Sequence, residues 1–162
     1  ELWTEEKDWP RMFPDQFPVE VARGVTWGLQ PTTHNFRMEN VTDPSCADGY
    51  RFMVDTARFH AAHRDFLFDG EMLDPGELDC ARAEVKFLNR GTYTKKGEYK
   101  VSTHVLPTVF HSVWRSPDGR VAAVFVNWSR EPRAFRLETP DLTAAGELPA
   151  RTWKLIERKE DR

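Results

Sequence analysis

Trp27 is followed closely by a run of groups that bond hydroxyls: Gln30, Thr32, Thr33, His34 and Asn35. An indole stacks on the apolar C–H face of a sugar ring, while amides and imidazole bond the ring's hydroxyls. Binding residues concentrate in loops that leave a regular element. This order of side chains therefore suits a saccharide, and Trp27, Gln30 and His34 are the candidate substrate-binding residues. The plainer alternative is a core tryptophan followed by a polar loop.

Other constellations carry less chemistry. His60 and His63 stand three residues apart on a predicted helix, a spacing that presents two imidazoles to one metal. A third ligand would have to come from His34, His104, His111 or a distant carboxylate, so both are expected as polar positions and no metal is assigned. Nucleotide-binding glycine loops, the Gly-x-Ser-x-Gly elbow and His-Glu-x-x-His are all missing from the sequence, and no cofactor is expected. Carboxylates crowd the loops: Glu5, Glu6, Asp15, Glu20, Glu39, Asp69 and Glu71. A glycosidase needs two of them roughly 5 to 9.5 Å apart. The spacing singles out no pair, and no catalytic residue is assigned. Cys46 and Cys80 are too far apart for a Cys-x-x-Cys site and read as two buried thiols, with one disulfide between them as the alternative. Asn40 and Asn127 open Asn-x-Ser/Thr triplets, which arise readily by chance.

The 162 residues suit one medium domain, or one small domain plus part of another. With 40% hydrophobic and 30% charged residues, the chain can bury a core. Lys and Arg number 23 against 26 Asp and Glu, which leaves no basic footprint for nucleic acid or anionic lipid. No apolar run is long enough to span a membrane. The sequence begins at Glu1, and the expectation is a processed chain or a piece of a longer one.

Three grammars divide the chain. Residues 1–44 hold five of the eleven prolines, which forbids long helices there. Within them Val19, Val21, Val25, Trp27 and Leu29 predict one buried strand. Residues 43–67 predict one long helix, capped either by Asp43 with Pro44 at its first position or by Ser45 with Asp48 three residues on. Tyr50, Met53, Val54, Ala57 and Ala61 form one apolar stripe, and Phe52, Phe59 and Phe66 another, as if the helix were packed between two bodies. From Ala81 the period becomes two, with strands expected around Ala81–Phe87, Tyr99–Val105, Val109–Trp114, Val121–Trp128, Phe135–Leu137 and Trp153–Ile156. Ser116-Pro117-Asp118-Gly119 makes a hairpin turn. Val121–Trp128 is apolar on both faces and so reads as a central strand. The expected fold is mainly β: a C-terminal antiparallel β-sandwich packed on one long helix, preceded by a segment rich in proline and aromatics that holds one strand.

The order of these pieces resembles the C-terminal end of a bacterial glycoside-hydrolase-like (β/α) barrel protein. The resemblance rests on Val25-Thr26-Trp27-Gly28-Leu29-Gln30, the helix from Tyr50 to Leu67, Asp69-Gly70-Glu71, the hairpin Trp114-Arg115-Ser116-Pro117-Asp118-Gly119 and the strand end Asn127-Trp128-Ser129. It implies that residues 1–67 are the last strand and helix of a TIM barrel and that residues 68–162 are the sandwich closing such chains. Trp27, Gln30 and His34 would line a sugar subsite, with the catalytic carboxylates on a barrel portion N-terminal to this chain. Carbohydrate and that missing portion are then the expected partners. The alternative is a free-standing carbohydrate-binding β-sandwich that uses exposed aromatics such as Trp114 or Trp128.

Overall fold

A computed structural model describes residues 11–31, 38–89 and 100–158. The fold is mainly β, as expected, but its N-terminal third is helical where a strand was predicted. Helix α1 spans Gln16–Thr26. Pro18, Val19, Val21, Ala22 and Val25 fall three and four apart and are buried, whereas Glu20 and Arg23 are exposed. The helix ends in a glycine-capped turn. Gly28 N–H donates to the Val25 carbonyl at 3.0 Å, Leu29 N–H donates to the Gly24 carbonyl at 3.0 Å, and Gly28 takes φ 77°. Val25–Leu29 is thus a helix terminus rather than the end of a barrel strand.

The single helix expected over residues 43–67 is interrupted. Its place is taken by a 3-10 turn (Pro44–Cys46), α3 (Ala47–Ala62) and α4 (Arg64–Leu67), with the break at His63, and a short helix α2 (Met38–Thr42) precedes them. Asp43 caps the 3-10 turn as anticipated, its carboxylate accepting from Ser45 N–H at 2.9 Å with Pro44 next in line. One of the two apolar stripes is buried. Phe52 and Phe66 are inaccessible and Phe59 packs against them, while Ala57 and Ala61 on the other stripe are exposed. The helix therefore packs on one body, not between two.

Nine strands follow among the described residues: β1 (Glu71–Leu73), β2 (Leu78–Cys80), β3 (Arg82–Asn89), β4 (Lys100–Pro107), β5 (Val109–Arg115), β6 (Val121–Asn127), β7 (Arg133–Glu138), β8 (Thr143–Leu148) and β9 (Thr152–Glu157). All pair antiparallel, in a sheet ordered β1-β5-β6-β9, a second ordered β2-β7-β8 and a ribbon β3-β4. The larger sheet is the middle layer. Val121, Ala123 and Phe125 of β6 point into a core shared with β7 and β8, and Ala122, Val124 and Val126 point into a core shared with α1, α3 and β3. Both faces of β6 are buried, as a central strand requires.

Polar ties fix the helical layer to the strands. The Gln16 amide occupies the outer edge of β3, with Oε1 accepting from Leu88 N–H at 2.7 Å and Nε2 donating to the Leu88 carbonyl at 3.4 Å. Trp153 Nε1 donates to Thr56 Oγ1 at 2.8 Å, inside the cluster where Phe59 stacks on Trp153 with centroids 5.1 Å apart. Arg151, with its side chain 8% exposed, bridges Asp15 at 2.7 Å and Asp48 at 3.1 Å, lies over Phe52 and donates to the Trp128 carbonyl. On the opposite side Arg120 binds Asp65, Asp118 and Glu157, joining α4 to the β5–β6 hairpin.

Candidate functional site

Trp27 stands at the C-terminal end of α1 with 64% of its surface exposed, and the Arg23 guanidinium lies 5.7 Å from its ring centroid. What holds it outward is the next residue. Gly28 is pressed onto the indole edge of Trp114, so closely that a Cβ there would lie 2.7 Å from Trp114 Cη2. Gly28 anchors the turn on a buried ring, and its neighbours Trp27 and Leu29 face solvent, Leu29 at 60% exposure. Across the sheet, Met72 of β1 is the register partner of Trp114 and is itself exposed. An apolar rim of Trp27, Leu29 and Met72 thus borders the buried Trp114. Gln30, three residues beyond Trp27, is also exposed. His34 lies outside the described residues. Nothing in the sequence pointed to Met72, because β1 is too short to show a period.

Chemically, the rim offers an open aromatic face beside a neutral hydrogen-bonding group, with a guanidinium behind the ring. Such a set is chemically suited to a flat or chair-shaped polar ring with apolar C–H faces, and these residues include no nucleophile. The other tryptophans described have different work. Trp114 and Trp128 are buried at 5% and 3% exposure, which removes both as the exposed sugar-binding aromatics of a free-standing module. Their indole N–H groups donate to Ser112 Oγ and to the Pro107 carbonyl. These are core positions with satisfied polar ends.

Asn127 is inaccessible and ties the end of β6 to two loops. Its Nδ2 donates to the carbonyls of Glu131, Leu148 and Pro149, and its Oδ1 accepts from Ser129 N–H and Oγ. Asn40 is 6% exposed. Neither triplet presents an asparagine open to glycosylation in the folded chain. Cys46 is buried, Cys80 is partly so, and both are free.

Candidate acids are mostly committed to partners. Asp15 pairs with Arg130 and Arg151, Glu20 accepts from Gln16, Asp69 faces Arg64, and Glu71 pairs with Arg115. Glu5 and Glu6 lie outside the described residues. Among the described residues no group of three or more His, Cys, Asp or Glu side chains converges to hold a metal. His60 and His63 part company: His63 packs its ring 4.5 Å from that of Phe59, and His60 Nε2 is buried with no partner among the described residues. Burial, and then the nearby charge of Arg64, push the His60 pKa down. His111 is likewise lowered by burial, although its Nε2 sits 3.0 Å from the Pro75 carbonyl. The Asp43 carboxyl is held down at about 2 by hydrogen bonds from Ser45 and Arg11.

Comparisons with protein-family models, with curated proteins and with solved structures find no match for the chain.

Proposed function

We propose that this chain is the C-terminal portion of a carbohydrate-active, glycoside-hydrolase-like barrel protein. Its β layers close that protein structurally, and Trp27, with Gln30 and His34, lines a sugar subsite. The hydrolytic carboxylates belong to the barrel portion N-terminal to this chain, and that portion is its partner. The observation that carries the reading is the exposed Trp27 indole beside Gln30, held outward by the anchoring of Gly28 on Trp114. Exposed apolar surface grouped beside polar side chains supports a ligand-binding reading. The barrel strand that the resemblance assigned to residues 19–29 forms no part of the proposal, since those residues are helical up to Thr26.

Fluorescence titration with a panel of soluble α- and β-linked oligosaccharides tests this directly. Because Trp114, Trp128 and Trp153 are buried, Trp27 is the ring among the described residues most open to a ligand or to iodide. The expected result is a saturable change in emission with protection from iodide, and an approximately tenfold weaker Kd for Trp27→Ala, the size of one aromatic contact. If no saccharide binds, or if Trp27→Ala binds as well as the parent, the subsite is not there.

A further inference from the structure

We infer that β4 is a self-pairing edge through which two copies of this chain associate, joining their β3-β4 ribbons into one four-stranded antiparallel sheet. The ribbon has two outer edges, and they are treated differently. Thr108 N–H donates to the Ala81 carbonyl at 2.8 Å, which makes 81 and 108 a hydrogen-bonded pair at the end of the β3-β4 register. Such pairs recur at every second residue, so the main-chain groups of residues 82, 84, 86 and 88 on β3 point away from β4. Those of residues 101, 103, 105 and 107 on β4 point away from β3. The Gln16 amide confirms the phase on β3, since it bonds both the N–H and the carbonyl of Leu88.

No equivalent cover lies on β4 among the described residues. Its outward groups are those of Val101, Thr103 and Val105; Pro107 has no N–H to offer. The Val105 carbonyl accepts from Arg82 Nη2 at 2.9 Å and keeps its second lone pair. Val101 and Val105 are each 52% exposed, and they alternate with Thr103 on the outer face of the ribbon. A long exposed edge of this kind, bearing β-branched residues, is a template for another strand.

The sequence of the edge chooses a second copy as that strand. With a two-fold axis at Thr103, Thr103 meets Thr103 of the second copy, Val101 meets its Val105, and Val105 meets its Val101. All of these are outward-pointing residues, so each pair exchanges its N–H and carbonyl bonds, and each is a β-branched match of the kind that favours pairing. On the other face Ser102 meets His104 of the second copy. Lys100, the one charged residue of β4, meets Leu106. No like charges oppose each other anywhere in this register. The contact is isologous and closes on itself, which limits assembly to a dimer. Strand pairing alone buries less than a standard interface, so association in the micromolar range or weaker is expected.

Sedimentation equilibrium of the full chain over a wide concentration range, with circular dichroism to check folding, tests the proposal. The parent should shift from monomer to dimer. Thr103→Lys and Thr103→Glu should each be folded and monomeric, because like charges then meet on the axis, and an equimolar mixture of the two should dimerise again. The Thr103 side chain stands on the exposed face opposite Lys86 of β3, so Thr103→Glu adds an opposite charge across the ribbon and Thr103→Lys a like one, and circular dichroism must show both variants folded before their association is compared. A parent that stays monomeric throughout, a Thr103→Lys variant that dimerises like the parent, or a mixture that fails to associate would each overturn the inference.

Discussion

Replacing Thr56 with valine probes the tie between α3 and β9. The change is nearly isosteric, so it opens no cavity, and the two residues differ little in helix propensity. Thr56 is inaccessible, and its Oγ1 both donates to the Phe52 carbonyl at 2.7 Å and accepts from Trp153 Nε1 at 2.8 Å. Phe52 is a helical residue whose carbonyl retains its place in the α3 ladder, so the loss falls on the indole. Trp153 is only 9% exposed and would hold an unpaired N–H against Phe52 and Phe59. A buried unsatisfied donor costs about 1–3 kcal/mol. At about 2 kcal/mol the melting temperature falls by roughly 4–8 °C for a chain of this size. Urea unfolding read by near-ultraviolet circular dichroism measures the loss, and Thr56→Ser should recover most of it. In a Trp153→Phe background the donor is already gone, and Thr56→Val should then cost less than about 0.5 kcal/mol. The reasoning is refuted if the valine variant is as stable as the parent, or if it loses the same amount in both backgrounds.

Gly28→Ala forces a β-carbon into the left-handed region and onto Trp114, and should destabilise by about 2 kcal/mol or more in urea melts, while Leu29→Ala at the exposed rim costs well under 1 kcal/mol. Asn127→Ala strips three donated and two accepted hydrogen bonds from an inaccessible site. Its cost of about 3 kcal/mol or more should appear as a lower urea midpoint and poor soluble yield. His111 is held neutral by burial, with its pKa below the ordinary 6.5. The unfolded chain takes up the proton first, so this contribution to stability is full above about pH 6.5 and is lost as pH falls toward the folded-state value. Urea midpoints measured at pH 7.5 and 5.5 should therefore drop further for the parent than for His111→Gln.

How legible the fold was depended on how strongly each period stood out. In β6 the alternation of Ala122, Val124 and Val126 against Val121, Ala123 and Phe125 is unbroken, and the structure sends the two sets into different cores. Pro117, Asp118 and Gly119 forecast their turn because each has its own conformational reason to be there. Residues 19–29 were ambiguous. Their odd positions satisfy a strand, but Ala22 and Pro18 satisfy a helix equally well, and Gly28 one step past the end is the helical stop signal that decides the matter. The stripe Tyr50, Met53, Val54, Ala57 and Ala61 has helical spacing, yet its first three residues are only half-buried and Ala57 and Ala61 are exposed, because the bulkier Phe52, Phe59 and Phe66 take the core side. Strands β1 and β2 have three residues each, too short for any period to emerge, and β8 is masked by Ala144, Ala145 and Gly146. At the candidate site, Trp27 stands out by its type alone. The residue that orients it, Gly28 on Trp114, joins segments 86 positions apart, and no local pattern reports that.

The Arg151 bridge has a consequence for the order of assembly. Asp15 and Asp48 are bound by a residue 136 and 103 positions further along, and Thr56 waits for Trp153 across 97. Helices α1 and α3 are therefore tied by a residue just ahead of β9, far along the chain from both. Until β9 emerges, Phe52 and Phe59 of α3 lack the Trp153 ring they stack on, although α1 already has β3, β5 and β6 to pack against. Loops this long slow the search for native contacts, and that face of α3 spends the interval exposed. Chains cut before Arg151 should retain local helix but lose the ties of α3 to Arg151 and Trp153, which reduced near-ultraviolet circular dichroism would show.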